Sequence, residues 1–350
     1  IEIEFTKIRE ERCLPLEWPG EKCIQTLVNM AVPLFIFAAT VCRFVGELTG
    51  NPRRRLEDIL SYETEDVGKL GMTYLPILES LFATQDRKEK MKLSREFRDI
   101  VGSIVVLESP LSITSLAHLL GKAKDDINCR LDSLHSVLNI PNHDDAPVRL
   151  LHLSFRDFLV DMSNQKSLFW VDERARHEEL ASCCLQLMSK PNSLRQNMCD
   201  LQPGTLRSEV DEERITSNLS PELQYACRYW VYHLKQSQRL VDDNTTADTF
   251  LQKHFLHWLE AMSLLGETSK CVSLLETLYT LASNGALSAF LHDARRFTLR
   301  FRHILQHAPL QIYSSALIFA PEASIVRKAF VDEMAEWIES LSKREEGWNA

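Results

Sequence analysis

Glycine and proline are scarce in this chain, at 11 and 13 of 350 residues. A β-sandwich or propeller spends both on repeated tight turns, so helices are expected to dominate instead. Positive charge is also in deficit: 40 Lys and Arg stand against 49 Asp and Glu, a formal net charge of −9. Nucleic acid is gripped by cations that displace its counterions, so the expected partners are protein domains and not nucleic acid. No apolar run reaches the ~20 residues that cross a bilayer. The most apolar stretch, AVPLFIFAATVC at 31–42, contains a proline and reads as a buried helix, so no membrane span is expected. The nine cysteines are odd in number, and the one close pair, Cys183 and Cys184, consists of chain neighbours, a poor arrangement for a structural bridge. Cys42 and Cys227 lie in apolar helical runs where a free thiol behaves as a small hydrophobe. A reducing, cytoplasmic setting is the expectation.

Catalytic signatures are missing as well. A phosphate cradle of the G-x-x-x-x-G-K-[ST] kind needs glycines that let backbone amides approach the phosphates, with a lysine and a hydroxyl beside them. The Gly-Lys pairs, Gly68-Lys69 and Gly121-Lys122, have neither the earlier glycine nor the following hydroxyl residue. There is no G-x-G-x-x-G, no G-x-S-x-G, no H-E-x-x-H and no C-x-x-C. His254 and His257 could share a helix face, but no further ligands complete a tetrahedral set at recognisable spacing, and His177 with Cys183 and Cys184 fares no better. No catalytic residue and no metal are expected in this chain. The acidic run at 209–213 reads as solvated surface.

What is present is material for a core: 45% of residues are hydrophobic and 25% charged, enough for two or three packed units. A short helix is expected over 5–13, then a long apolar helix over 21–47 that Pro33 kinks or divides. GNPRRR at 50–55 reads as a linker, and Met72, Leu75, Leu78 and Leu81 fall on one face of a further helix. From Phe97 a helix runs to Ser109-Pro110, and SITSLAHLL follows with Gly121 placed to cap it. A third helix is expected over 125–138. The runs 138–140 and 148–151 flank the polar turn PNHDDAP as a hairpin would. Three helices and a hairpin make a winged helix. As a DNA reader it is balanced in charge, with Lys122, Lys124 and Arg130 against Asp125, Asp126 and Asp132, which removes the basic face that phosphates need. Ser154 to Asp157 has a capping-box pattern, Ser154 as the cap. Further amphipathic helices are expected over 173–190, 221–238, 249–265, 269–284 and 286–307, separated by polar stretches such as DDNTTAD. The fold class is mainly α.

Several long phrases resemble the fungal NACHT-type STAND NTPases that carry C-terminal WD repeats, the group of the vegetative (heterokaryon) incompatibility proteins. They are WPGE at 18–21, PLFIFAATVCRF at 33–44, LLHLSFRDFL at 150–159, LQYACRYWVYHL at 223–234 and PLQIYSSALIFAP at 309–321. The resemblance spans essentially the whole chain. It implies the end of the NACHT region and a helical domain over 1–92, a winged helix over 93–165, and a helical connector over 166–350 that leads towards WD repeats. The chain, which opens on Ile1 and stops on Trp348-Asn349-Ala350, then reads as a piece of a longer protein whose P-loop lies upstream. ADP or ATP (or GTP) is the cofactor implied for that parent, with none bound by the segment in isolation. The NACHT core and the WD propeller are the implied partners, with homo-oligomerisation on activation.

Two residues carry the implied nucleotide contacts. His152, in LHLSF, resembles the winged-helix histidine that reaches the ADP β-phosphate, where an imidazole can donate to an anion. Pro33, in AVPLF, resembles the proline of a G-x-P-type motif that packs on adenine. Read from the residues alone, His152 is equally a histidine at a strand-to-helix junction, and Pro33 a helix break. A different function remains open on the same sequence: a free-standing helical scaffold with a peptide groove and no nucleotide linkage. An upstream Walker motif and downstream WD repeats in the flanking coding sequence would separate the two.

Overall fold

The computed structural model describes residues 1–32, 34–48, 50–62, 68–83, 85–143, 145–334 and 346–348. Among these residues there are seventeen α-helices and one two-stranded sheet, the mainly α fold that the composition calls for. The chain divides into two compact units, Ile1–Thr114 with Lys122–Glu173, and Ser115–Gly121 with Arg174–Ala350.

In the first unit, α1 (Glu2–Glu11) buries Phe5 and Ile8. The long helix expected over 21–47 is two helices, α2 (Glu21–Ala31) and α3 (Phe35–Gly46). Pro33 itself lies outside the described residues. Val32 before it is extended, the backbone that a following proline ring enforces. The stretch read as a linker is corrected from Pro52 onward: α4 (Pro52–Ser61) starts there. Asn51 Oδ1 accepts from the amides of Arg53 at 3.0 Å and Arg54 at 3.4 Å, and proline at the first helical position gives up no bonded amide. Arg55 then anchors the bend, with Nη2 3.0 Å from Glu47 Oε2 and its guanidinium 4.5 Å from the centre of the Phe44 ring. Helix α5 (Lys69–Ser80) buries Tyr74, Ile77 and Leu78.

Helix α6 (Arg87–Val106) begins well before Phe97, because the Asp86 side chain caps it through the Glu89 amide at 2.9 Å. Its polar first turns hide it from a search for apolar periodicity. Helix α7 (Ile113–Leu120) ends on Gly121 at φ +62°, the left-handed cap expected there. Helix α8 (Lys124–Leu131) is shorter than the run expected over 125–138. Past Leu131 the chain tightens into turns, Leu134 N to Leu131 O at 2.8 Å and Val137 N to Leu134 O at 3.0 Å, while Leu134 and Leu138 stay buried. Apolar spacing alone does not distinguish that from helix. Strands β1 (Leu138–Asn139) and β2 (Arg149–Leu150) pair antiparallel, Leu138 opposite Leu150, as the hairpin expectation has it. Ser112 adds an antiparallel bridge to Pro147. Helix α9 (Leu153–Val160) follows and packs on α5. After it, Phe169 stacks on Phe82 at 5.2 Å and sits edge-on to Phe97 at 5.6 Å, and Ser94 Oγ donates to Leu168 O at 2.6 Å.

Besides most of α7, the second unit contains α10 (Glu173–Met188) from Arg174 onward, α11 (Glu212–Asn218), α12 (Pro221–Ser237), α13 (Thr246–Leu264), α14 (Thr268–Leu281) and α15 (Ala286–His307). A π-helical turn (Ile312–Ala316), α16 (Leu317–Phe319) and α17 (Ile325–Ala329) complete it. Its core is aromatic. Trp230 meets Trp258 edge-on at 5.9 Å, Trp258 Nε1 donates to Cys227 O at 2.9 Å, and Phe255 meets Phe290 edge-on at 5.7 Å. Three buried charged side chains hold irregular backbone against these helices. Glu260 accepts from the Asn197 and Met198 amides, each at 3.0 Å, and from the Tyr313 hydroxyl at 2.8 Å. Asp293 accepts from Ser324 Oγ at 2.7 Å and Val326 N at 2.8 Å. Arg327 Nη1 donates to the carbonyls of Leu317, Ile318 and Ala320. Groups that would be costly to bury alone are here hydrogen-bonded by backbone and hydroxyl partners.

Candidate functional site

The hairpin delivers His152 to the start of α9. Leu151 N donates to Val137 O at 3.1 Å, closing the hairpin, and His152 follows in extended backbone (φ −154°, ψ 144°) as the residue that caps the helix. Its Nδ1 accepts from the Ser154 amide at 3.1 Å and lies 2.7 Å from Ser154 Oγ. The capping assignment from sequence is thereby corrected. His152, not Ser154, is the cap, and Ser154 sits inside the first turn with its hydroxyl turned to other partners.

One of those partners is Tyr74, 80 residues away on α5, whose hydroxyl lies 2.7 Å from Ser154 Oγ in a buried contact. The Tyr74 ring is wedged between α9 side chains, 5.1 Å from Phe155 and 5.5 Å from Phe158, and burial pushes its hydroxyl pKa up. Nothing in the run MTYLPILE marks Tyr74 as more than a core aromatic; only the packing of α5 on α9 brings it to the histidine. His152 is exposed, and Leu153 beside it is 70% exposed. With Nδ1 accepting a backbone N–H, the neutral ring carries its proton on Nε2. The arrangement offers a single outward hydrogen-bond donor at the N-terminal end of a helix, where unbonded amides and the helix dipole favour an anion.

Pro33, the other residue assigned to nucleotide, lies outside the described residues. Its described neighbours Val32 and Phe35 are 63% and 88% exposed. The first unit also has an open cavity of about 780 Å3, between Tyr62, Glu79, Lys90, Lys166 and Phe169. Tyr62 donates to Glu79 Oε2 at 2.5 Å there, so the lining holds both signs of charge and is not shaped for an anion alone. In the second unit, His254 and His257 face each other through Nδ1 at 3.2 Å, and His257 Nε2 is 3.1 Å from Glu333 Oε2. His177 pairs with His233 through Nδ1 at 2.7 Å, and the Tyr225 hydroxyl is 2.7 Å from His233 Nε2. The nine cysteines are all free thiols. Among the described residues no helix is long and apolar enough to cross a membrane.

Among the described residues the class is a mainly helical chain with one small hairpin that sets a histidine at a helix start, and comparison with known proteins finds a likeness to a fungal incompatibility protein. The vegetative incompatibility protein HET-E-1 of Podospora anserina is a relative, 28% identical over 344 residues that cover 90% of this chain and 24% of that protein. The chain thus spans about a quarter of the relative's length. No protein-family model matches the chain, and no solved structure matches it.

Proposed function

We propose that this chain is the regulatory segment of a cytoplasmic, nucleotide-switched signalling NTPase of the fungal NACHT type. In this reading it couples the nucleotide held by an upstream core to a downstream WD-repeat sensor. The segment contributes no catalytic group. The stretch 93–165 acts as a winged helix, and His152 touches the β-phosphate of ADP in the closed state. Exchange of ADP for ATP releases that contact and allows the parent protein to open and self-associate, a two-state coupling in which both nucleotides bias one equilibrium.

The observation that carries this reading is the state of His152. Its Nδ1 is occupied by the helix it caps, which leaves Nε2 of this exposed residue as the ring's donor at a helix N-terminus. Such a donor can serve an anionic oxygen, which the helix N-terminus also favours. The likeness to a vegetative incompatibility protein along 90% of the chain supports the signalling context. In the parent protein His152→Ala is expected to speed ADP dissociation by roughly tenfold or more, the loss of one hydrogen bond to a charged group. Stopped-flow release of a fluorescent ADP measures this; an unchanged rate removes His152 from the switch.

A further inference from the structure

The structure assigns Tyr74 and Ser154 as positioning residues that fix the tautomer of His152 and so make it a donor. Hydrogen-bond bookkeeping gives the direction. The Ser154 amide can only donate, so His152 Nδ1, 3.1 Å away, presents a lone pair. Ser154 Oγ is 2.7 Å from that same Nδ1. If the hydroxyl turned its proton elsewhere, two lone pairs would face each other at that distance, so Ser154 donates to His152. Having given its one proton, Ser154 Oγ can only accept from Tyr74, whose hydroxyl lies 2.7 Å away. The chain therefore runs one way, Tyr74 O–H to Ser154 Oγ, and Ser154 O–H to His152 Nδ1. It ends with the ring proton on Nε2, facing outward.

The inner end of this relay is rigid. Tyr74 is 1% exposed and Ser154 8%, and the Tyr74 ring is held by Phe155 and Phe158. A second-sphere hydrogen bond to one imidazole nitrogen is how proteins commonly decide what the other nitrogen does. Here the deciding group comes from α5 while the histidine belongs to the hairpin and α9, so a shift of α5 against α9 would change the donor without touching it. The tautomer assignment stands on the geometry; its consequence for nucleotide rests on the function proposed above.

The test uses this 350-residue chain with ring-15N-labelled histidine, read by NMR at about pH 8, where an ordinary imidazole is neutral. His152→Gln assigns the resonances. The wild-type chain is expected to show His152 as the Nε2–H tautomer. Tyr74→Phe keeps the ring packing and removes the first donor, and is expected to move the tautomer ratio towards Nδ1–H by about fivefold, the effect of one neutral hydrogen bond. Ser154→Ala is expected to do at least as much, and Ser154→Thr, which restores a hydroxyl, to recover the wild-type ratio. Circular dichroism confirms that each variant is folded. A wild-type Nδ1–H ring, or a ratio indifferent to Tyr74→Phe, overturns the assignment.

ADP release from the parent protein separates the two ideas. If the ratio responds to Tyr74→Phe while His152→Ala leaves ADP release unchanged, the relay stands and the nucleotide reading falls. If His152→Ala speeds release but the ratio ignores Tyr74→Phe, the reverse holds. With both correct, Tyr74→Phe speeds release by about fivefold and adds nothing in the His152→Ala background, as expected for residues acting through one contact.

Discussion

Glu260 and His233, both fully buried in the second unit, titrate in opposite senses. Burial pushes the Glu260 carboxyl up from its usual 4.5 to about 7, against the pull of the Tyr313 hydroxyl and the amides of Asn197 and Met198. Burial, and then the facing His177 ring, hold His233 down from its usual 6.5 to about 3. Between pH 4.5 and 7 folded Glu260 keeps a proton that the unfolded chain has released, so its contribution to stability is present at low pH and lost as pH rises through about 7. Folded His233 refuses a proton that the unfolded chain takes, so its contribution is present above pH 6.5 and lost as pH falls towards 3. From 4.5 to 6.5 the two slopes cancel. Glu260→Gln removes one of them, and the variant is expected to lose stability relative to wild type by about 1.4 kcal/mol for each pH unit of acidification in that window. Urea denaturation at pH 6.5, 5.5 and 4.5 measures it; parallel profiles for variant and wild type would sink the prediction.

Helix ends, at the scale of the element, are set here by single capping side chains, some from distant parts of the chain. Asp243, within the polar stretch DDNTTAD that separates α12 from α13, accepts from Ala286 N at 3.1 Å and Leu287 N at 2.8 Å and so caps α15. Gly285 leaves room for it: a Cβ there would fall 2.5 Å from Asp243 Oδ2. Gly285→Ala is expected to displace that carboxylate and cost about 1 kcal/mol, the usual worth of a cap, and Asp243→Ala to cost a similar amount. The double variant should cost little more than either single one, because both remove the same cap. Thermal melts check this, and additive losses would show that Gly285 acts otherwise.

Apolar periodicity, not local capping, decides which element boundaries are legible in the sequence. Asn51-Pro52 and Asp86 with Glu89 are short-range signals that place the starts of α4 and α6, yet the apolar periodicity used to find helices is weak just after each. Helix α15 was legible to the residue, because its apolar stripe runs its full length. Helix α11 hides in the acidic run at 209–213, whose Glu209, Asp211, Glu212 and Glu213 are exposed as expected while Val210 and Ile215 are buried.

At the scale of the whole molecule, the charge excess of −9 and the single nucleotide contact proposed for His152 point the same way. A single exposed imidazole donor is one contact of the several that hold a nucleotide, so the isolated chain is expected to give little or no heat when titrated with ADP in a calorimeter. Tight one-to-one binding would place a nucleotide site within the chain itself and overturn the division of labour proposed here.

Composition and periodicity by themselves determined the mainly helical class, the hairpin and the long helices of the second unit, because few turns and repeated apolar faces leave those elements no other way to bury their surface. The long phrases that resemble the incompatibility-type proteins single out His152. Only the tertiary structure decided what His152 is: the cap of α9, with its ring proton set through Ser154 by a tyrosine 80 residues away from that serine. Helical spacing tells which side chains lie on a buried face. Which hydroxyl meets which nitrogen depends on how α5 and α9 pack, and no local pattern in the sequence carries that.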